Sequence, residues 1–166
     1  MIKKLSLLYV WFVRTLLILF PDIPILMRIR GSLYSLVMNE CGHNFQVSAT
    51  TLLRSINKLS VGNNVYLAPF VVLNAIDDII LEDEVMVGFH SVITSGNHII
   101  SQGSYRFSPS IGKPIVIKHG CWIAAHCTVL PGTYLPQGAI LAANSCLTKK
   151  YDDGVLFGGV PAVRIK

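Results

Sequence analysis

The chain has 166 residues, of which 52% are hydrophobic and 14% are charged, and its formal net charge is +5 at pH 7. This length suits one domain with an ordinary core, and the charged fraction lies well below the ~25% of average domains. The positive excess falls in residues 1–58, which hold seven Lys or Arg against Asp22 and Glu40. A segment both basic and apolar favours an anionic membrane surface as its partner. No nucleic-acid partner is expected, because no basic–aromatic stripe or nucleic-acid motif accompanies the charge.

The N-terminal part of the chain is predicted to be helical. Residues 5–20 are apolar almost all round, and as a helix they would be about 24 Å long, shorter than a ~30 Å hydrocarbon core. Arg14 lies in the middle of this run, and no small-residue cleavage site of a signal peptide follows it. Pro24 opens a second segment with helical spacing of apolar residues. We expect residues 1–44 to be a helical segment that either contacts a membrane or packs on the core or on a partner subunit.

A six-residue repeat organises the rest of the chain. From Ile117 to Leu147 the first residue of every six is Ile, Val or Leu. The fifth residue is always small: Cys121, Cys127, Thr133, Ala139 and Ser145. In an extended strand the fifth residue and the next first residue point the same way, so both face a common core. Stacked runs of this kind bury a continuous core, as in repeat proteins.

The repeat starts near Phe45 and is interrupted twice. At residues 75–78 the frame shifts by two, where we expect a corner. Residues 99–114 carry no sixes and are rich in Gly, Ser and Pro, and a loop of this length in a tight repeat is usually functional or disordered. The sequence therefore predicts a repeat domain over 45–150 with a protruding loop at 99–114, and a C-terminal tail at 151–166.

The four cysteines form no Cys-x-x-Cys motif. Cys121 and Cys127 occupy small inward places of the repeat, so we expect buried core residues there. Neither a disulfide framework nor a zinc knuckle is indicated, which fits a reducing compartment. We expect a cytoplasmic protein.

Four short motifs accompany the sixes: residues 94–98 (TSGNH), 113–117 (KPIVI), 120–123 (GCWI) and 159–162 (GVPA). Together they resemble the hexapeptide-repeat acetyltransferases, and the resemblance covers about residues 59–166. It implies an all-β solenoid, a left-handed parallel β-helix, here with an N-terminal helical segment. Within that family the chain resembles the polysaccharide O-acetyltransferases of capsule, O-antigen and colanic-acid pathways.

The resemblance also implies a co-substrate, an assembly and site residues. The family uses acetyl-CoA and forms homotrimers with active sites in clefts between subunits, and its catalytic histidine, just before the protruding loop, corresponds to His98. No metal is expected. The positions matched to CoA binding are Trp122, Ala125, Ala143, Thr148 and Lys149. Arg164 is expected, from its charge alone, among the basic residues near the C-terminus that hold the CoA phosphates. The positions expected to contact the acceptor are Phe70, where some relatives carry an Asn nearby, together with His90, Asn97 and Tyr105.

The chemistry of O-acetylation supports a histidine at the loop. An alcohol hardly ionises at neutral pH, so a base must take its proton, and a histidine with an unperturbed pKa of ~6.5 suits this role. Of the five histidines, His98 lies where the long loop leaves the repeat. We expect direct transfer to a hydroxyl of a sugar or surface polysaccharide precursor, because no Gly-x-Ser-x-Gly motif is present and the cysteines occupy core places.

Two alternatives remain open at this stage. One is a non-catalytic β-helix scaffold that docks at a membrane through residues 1–40. The other is a zinc enzyme of the γ-carbonic-anhydrase type, which needs three convergent histidines. His119 and His126 are seven residues apart and do not share one spot on a six-residue frame. The same residues 1–40 would give the acetyltransferase a peripheral contact with the inner face of the cytoplasmic membrane.

Overall fold

The computed structural model describes residues 2–166, with side chains from residue 5 onward. The side chains of Lys3 and Lys4, two of the seven cations in residues 1–58, lie outside that description. Two helices, α1 (Ile2–Leu17) and α2 (Pro24–Ser35), precede short strands and one 3₁₀ helix (Ile56–Lys58). The strands are β1 (Glu40–Cys41), β2 (Gln46–Val47), β3 (Leu52–Arg54), β4 (Leu59–Val61), β5 (Tyr66–Leu67), β6 (Val72–Asn74), β7 (Ile79–Leu81), β8 (Met86–Val87), β9 (Val92–Thr94), β10 (Gly96–His98), β11 (Ser110–Gly112), β12 (Ile115–Ile117), β13 (Trp122–Ile123), β14 (Thr128–Val129), β15 (Tyr134–Leu135), β16 (Ile140–Leu141), β17 (Cys146–Leu147), β18 (Leu156–Gly159) and β19 (Ala162–Arg164).

The strands form a three-sided solenoid. Sheet A has the order β1-β4-β7-β12-β15, sheet B has β2-β5-β8-β13-β16-β18-β19, and sheet C has β3-β6-β9-β14-β17. Each coil gives one strand to each sheet, and neighbouring coils pair in parallel. The predicted parallel solenoid is therefore confirmed. The first coil begins at Glu40, because β1 already pairs with β4, five residues ahead of the predicted start.

The six-residue pattern matches the interior of the three-sided solenoid, which is called the prism below. The first-place side chains Ile117, Ile123, Val129, Leu135, Leu141 and Leu147 are all 0% exposed. The small fifth-place residues, from Cys121 to Ser145, are all buried beside them. Removing one such large side chain from water contributes about 1.5–3 kcal/mol. The expectation that Cys121 and Cys127 are core residues is confirmed.

The frame shift predicted at residues 75–78 lies at a corner of the prism. Between the first three coils, paired residues are 20 positions apart, as in Ser60 with Ile80. In the later coils they are 18 apart, as in Val116 with Tyr134. The two extra residues fall between sheets C and A, in the 3₁₀ turn before β4 and at residues 75–78 before β7.

The repeat is interrupted at the same corner by a protruding segment, residues 96–112, called the arm below. After β9 the chain leaves the solenoid and forms an antiparallel hairpin, β10–β11, in which His98 pairs with Ser110. The chain then re-enters sheet A at β12. The C-terminal tail closes sheet B, because β18 pairs in parallel with β16 and in antiparallel with β19.

The two helices cap the open end of the first coil. Val10, Val13 and Tyr34 belong to the same buried core as the solenoid. Gly31 allows close contact, since a Cβ there would lie 1.9 Å from the carbonyl oxygen of Phe45. The outward side of α1 remains apolar and exposed. None of the described helices is long and apolar enough to span a lipid bilayer.

Arg30 fastens this cap to the solenoid. Its side chain is 2% exposed and pairs with Asp22 at 2.7 Å. The guanidinium also donates to the carbonyl of Phe20 at 2.6 Å and to that of Val47 at 3.4 Å. Asp22 in turn accepts hydrogen bonds from the hydroxyl of Ser48 and from the N–H of Ala49. One buried arginine thus connects the end of α1, the turn before α2 and the first coil.

Candidate active site

The arm carries His98, the predicted catalytic residue. The residue is exposed, and its backbone N–H donates to Asn97 Oδ1 at 2.8 Å. A cleft of about 480 Å³ lies at the base of the arm and is lined by Asn97, Lys113, Leu130 and Thr148 among others. Successive side chains of a strand point to opposite faces, so His98 lies on the other face of the hairpin from Asn97.

The corner between sheets B and C carries two of the predicted acceptor residues. The ring of Phe70 stacks on that of His90, with centroids 4.7 Å apart and an interplanar angle of 9°. His90 stacks in turn on His126, at 4.9 Å and 3°. These three residues, called the ring column below, come from three consecutive coils. His126 was not among the predicted site residues.

The ring column occupies an unusual backbone position. In most sixes the fourth residue turns the corner with positive φ. Gly or Asn occupies this place at five corners: Asn64, Gly120, Gly132, Gly138 and Asn144. In the column φ is 63° at Phe70, 58° at His90 and 59° at His126. A left-handed backbone costs such residues roughly 1–2 kcal/mol each, and a stacked ring pair contributes about 0.5–1.5 kcal/mol. The two stacked pairs therefore do not offset the strain of the three residues, and stacking alone gives the column no net stability.

Two of the predicted CoA positions lie at the same corner. Ala125 and Ala143 directly precede His126 and Asn144, and the N–H of Asn144 donates to the carbonyl of Ala125 at 3.0 Å. The small residues leave the corner open next to the ring column. Gly88 contributes to this close fit, since a Cβ there would lie 2.8 Å from the backbone of Ala124.

The other predicted positions are dispersed. Trp122 lies on the outer face of sheet B, half exposed between Met86 and Ile140. Thr148 and Lys149 follow β17 at the corner between sheets C and A. The Lys149 ammonium lies 5.3 Å from the centre of the Tyr151 ring. Tyr105 is exposed on the arm, and Arg164 on β19 pairs with Asp153 at 2.8 Å.

Apart from Trp122 and Arg164 on sheet B and Tyr105 on the arm, the predicted residues form two groups on opposite edges of sheet C. One edge holds the ring column with Ala125 and Ala143, and the other holds Asn97, His98, Thr148 and Lys149. A single chain does not bring His98 together with the alanines. Each coil consists of three six-residue runs, one for each sheet. Only an alignment of whole coils shows that bulky residues occupy the fourth place at the same corner in successive coils, where the ring column lies.

The buried thiols are poor nucleophiles. Burial raises the pKa of Cys121 to about 11 and also raises the pKa of Cys127. Both are therefore protonated at neutral pH, and the thiolate is the reactive form.

Within residues 2–166, no group of three or more His, Cys, Asp or Glu is placed to hold a metal ion.

Comparisons with known proteins agree with this architecture. No protein-family model matches the chain. It is 25% identical over 140 residues to WbbJ of Escherichia coli, named as a candidate lipopolysaccharide biosynthesis O-acetyltransferase, covering 75% of this chain and 69% of WbbJ. It is 27% identical over 146 residues to WcaF of Escherichia coli, named as a candidate colanic acid biosynthesis acetyltransferase, covering 86% of this chain and 76% of WcaF.

The solved structures show the same fold. A hexapeptide-repeat acetyltransferase of Vibrio cholerae, in complex with acetyl-CoA, superposes with a TM-score of 0.80 at 21% identity and covers 95% of this chain and 86% of its own. In its repeat and in these relatives the chain is similar to the hexapeptide-repeat acetyltransferases, and its solenoid has their left-handed β-helix fold.

Proposed function

We propose that the protein transfers the acetyl group of acetyl-CoA to a hydroxyl of a sugar or of a surface polysaccharide precursor, with His98 as general base. The observation that carries this proposal is the exposed His98 at the point where the solenoid opens into an arm. The names of the Escherichia coli relatives support a polysaccharide acceptor. The complex of the Vibrio cholerae acetyltransferase with acetyl-CoA supports acetyl-CoA as the co-substrate.

The reaction needs one base and no covalent intermediate on the enzyme. An imidazole nitrogen of His98 takes the proton of the sugar hydroxyl while the oxygen attacks the thioester carbonyl. The tetrahedral intermediate collapses, the C–S bond breaks, and the imidazolium returns the proton to the departing CoA thiolate. A backbone N–H at the cleft would stabilise the oxyanion. Cys121 takes no part, since its thiol is buried and protonated.

The site is proposed to form between subunits of a homotrimer. His98 and the alanine pair Ala125 and Ala143 lie on different edges of sheet C, so one chain cannot place the base beside the small-residue corner. In a ring of three copies, the arm edge of one subunit faces the ring-column edge of its neighbour. This heterologous contact closes after three copies.

Mixed trimers test this arrangement. His98→Ala removes the base on one edge, and Ala143→Trp fills the small-residue corner on the other. Each variant alone should be inactive, and co-expression of the two should restore activity, because some clefts then combine two intact edges. If the mixture stays inactive while both variants fold and assemble, the shared cleft is wrong.

The helical cap is proposed to contact an anionic membrane at its cytoplasmic face. Leu8 and Trp11 are each 62% exposed and Phe12 is 57% exposed on the outer side of α1. Asp22 is the single acidic residue among residues 1–39, and Arg30 neutralises it. The charges of the cap that remain after this pairing are therefore positive. Positive charge attracts anionic lipid and repels a second copy of the same cap.

Vesicle sedimentation tests the membrane contact. The full chain should sediment with vesicles that contain phosphatidylglycerol and much less with pure phosphatidylcholine. Trp11→Glu should reduce sedimentation, and Val163→Glu, the same change at an exposed apolar residue of β19, should not. If wild-type protein remains in the supernatant with both vesicle types, the contact does not exist.

Acceptor-dependent release of CoA tests the activity itself. The purified protein is incubated with acetyl-CoA and a panel of nucleotide sugars, glycosides, oligosaccharides and xenobiotic alcohols, and free thiol is measured. We expect release with at least one carbohydrate and none with the xenobiotics. A non-catalytic scaffold would not bind acetyl-CoA, so absence of binding by calorimetry would favour that alternative.

A further inference from the structure

We propose that the groove between α2 and the first two coils binds the phosphate group of an anionic phospholipid, with Arg28 and Ser32 as its main donors. This inference rests on the proposed membrane contact of the cap and gives that contact a defined ligand. Among the described residues, the groove shares no lining residue with the cleft at the base of the arm.

The groove has one wall from a helix and one wall from the solenoid. Its volume is about 540 Å³. Arg28, Ser32 and Ser35 line it from α2, and because residues three or four apart share one helix face, they lie together along the groove. Asn44 and Asn64 line it from the corner between sheets A and B. Polar side chains from α2 and from two coils therefore converge there.

The side-chain groups that are free to bind in the groove are donors. The Ser35 hydroxyl already donates to the carbonyl of Ser32 at 2.7 Å. Asn64 Oδ1 accepts from Asn44 at 2.9 Å, which leaves the amide N–H groups of Asn64 free. Arg28 and Ser32 are exposed, and their side chains have no partner among the described residues. A group that only accepts hydrogen bonds is the complement of this set.

The charge of the groove favours an anion. Arg28 supplies a fixed positive charge, and no Asp or Glu is among the described lining residues. Cys41 also lines the groove, and burial raises the pKa of its thiol, so the thiol keeps its proton at neutral pH. Phosphate oxygens carry negative charge and accept paired N–H···O bonds from a guanidinium. A phosphate therefore matches the groove better than a neutral sugar does.

The rim of the groove indicates that the phosphate belongs to a lipid. Ile25, Ile29 and Leu36 are exposed on α2. Ile25 lies one helical turn before Arg28, and Ile29 and Leu36 lie one turn before and after Ser32. Exposed apolar residues beside a basic one are typical of helices in a membrane interface, where the apolar side chains reach the acyl chains. A free phosphate would gain nothing from this rim.

Vesicle sedimentation separates a phosphate site from general attraction by charge. The full chain is mixed with phosphatidylcholine vesicles, with or without phosphatidylglycerol. Arg28→Lys keeps the charge but loses the planar fork of the guanidinium, and Ser32→Ala removes only a hydroxyl. Arg54→Lys is the matched control, because Arg54 is exposed on β3, outside the groove. Melting temperatures show that the variants remain folded.

Each groove variant should lower the partition coefficient for phosphatidylglycerol vesicles by about three- to tenfold, the loss of one hydrogen bond. Arg54→Lys should sediment as wild type does. If both groove variants sediment as wild type does, the groove holds no headgroup, whereas the membrane contact stands. If wild type sediments with neither vesicle, the contact and the headgroup site both fail. Sedimentation needs no acetyl transfer, so the result is independent of that activity.

A soluble probe separates a lipid from a free phosphate. Glycerol 3-phosphate carries the phosphate without acyl chains, and calorimetry measures its binding to the full chain. We expect no saturable binding at millimolar concentrations, because the apolar rim contributes only when acyl chains are present. If wild type binds the probe saturably and Arg28→Lys still sediments as wild type does, the groove is a site for a soluble phosphate and the assignment to a lipid is wrong.

Discussion

The attachment of the helical cap depends on Arg30, and replacing it should weaken the fold strongly. Arg30→Met keeps much of the volume but removes the ion pair with Asp22 and the hydrogen bonds to the carbonyls of Phe20 and Val47. Removing one partner of a buried ion pair costs about 3–5 kcal/mol. Because the side chain of Asp22 is 29% exposed and keeps its bonds to Ser48 and Ala49, we expect the lower end, about 3 kcal/mol.

Urea unfolding of the full chain measures this cost. A loss of about 3 kcal/mol in a chain of this size should lower the melting temperature by roughly 6–12 °C. Arg28→Met is the control, since Arg28 is exposed on the same helix and its loss should change the free energy of unfolding by about 0.5 kcal/mol or less. If Arg30→Met unfolds with the same free energy as Arg28→Met, the buried arginine does not hold the cap.

Two further predictions concern the core. Ile117→Ala should lower the free energy of unfolding by about 2–5 kcal/mol, because Ile117 is 0% exposed in the closely packed prism, and an unchanged urea midpoint would contradict this. Cys121 should resist iodoacetamide in the native protein until the pH approaches about 11, and should react readily near pH 9 in urea. Burial raises the pKa of Cys121 in the folded protein, so as the pH rises the thiol loses its proton first in the unfolded chain. The contribution of the protonated thiol to the free energy of unfolding therefore falls between about pH 9 and pH 11. Equal labelling of native and unfolded Cys121 at pH 8, followed by mass spectrometry, would show that the thiol is accessible.

The solenoid could be predicted because its periodicity is local. Each six carries its own large first residue and small fifth residue, so residues 117–147 predict the coil without knowledge of distant contacts. The two-residue shift at 75–78 was also readable, because it interrupts this period at a corner.

Features that depend on stacking between coils were harder to predict. Phe70, His90 and His126 are 20 and 36 residues apart, and their stacking follows only from the register of the sheets. The arm was read as a loop because its hairpin lacks the period of the solenoid. In the cap, the apolar run does not indicate which face packs on the solenoid, and the burial of Arg30 depends on a contact with Val47 of the first coil that no local pattern reveals.

The role of His98 is tested most directly by its removal. Acetyl transfer to the best acceptor of the panel is measured for wild type, His98→Ala and His43→Ala, an exposed histidine in the first coil. A general base contributes about 10²- to 10⁴-fold, so His98→Ala should lose that much in kcat while acetyl-CoA binding remains and His43→Ala stays near wild type. Transfer by His98→Ala at nearly the wild-type rate would contradict the assignment.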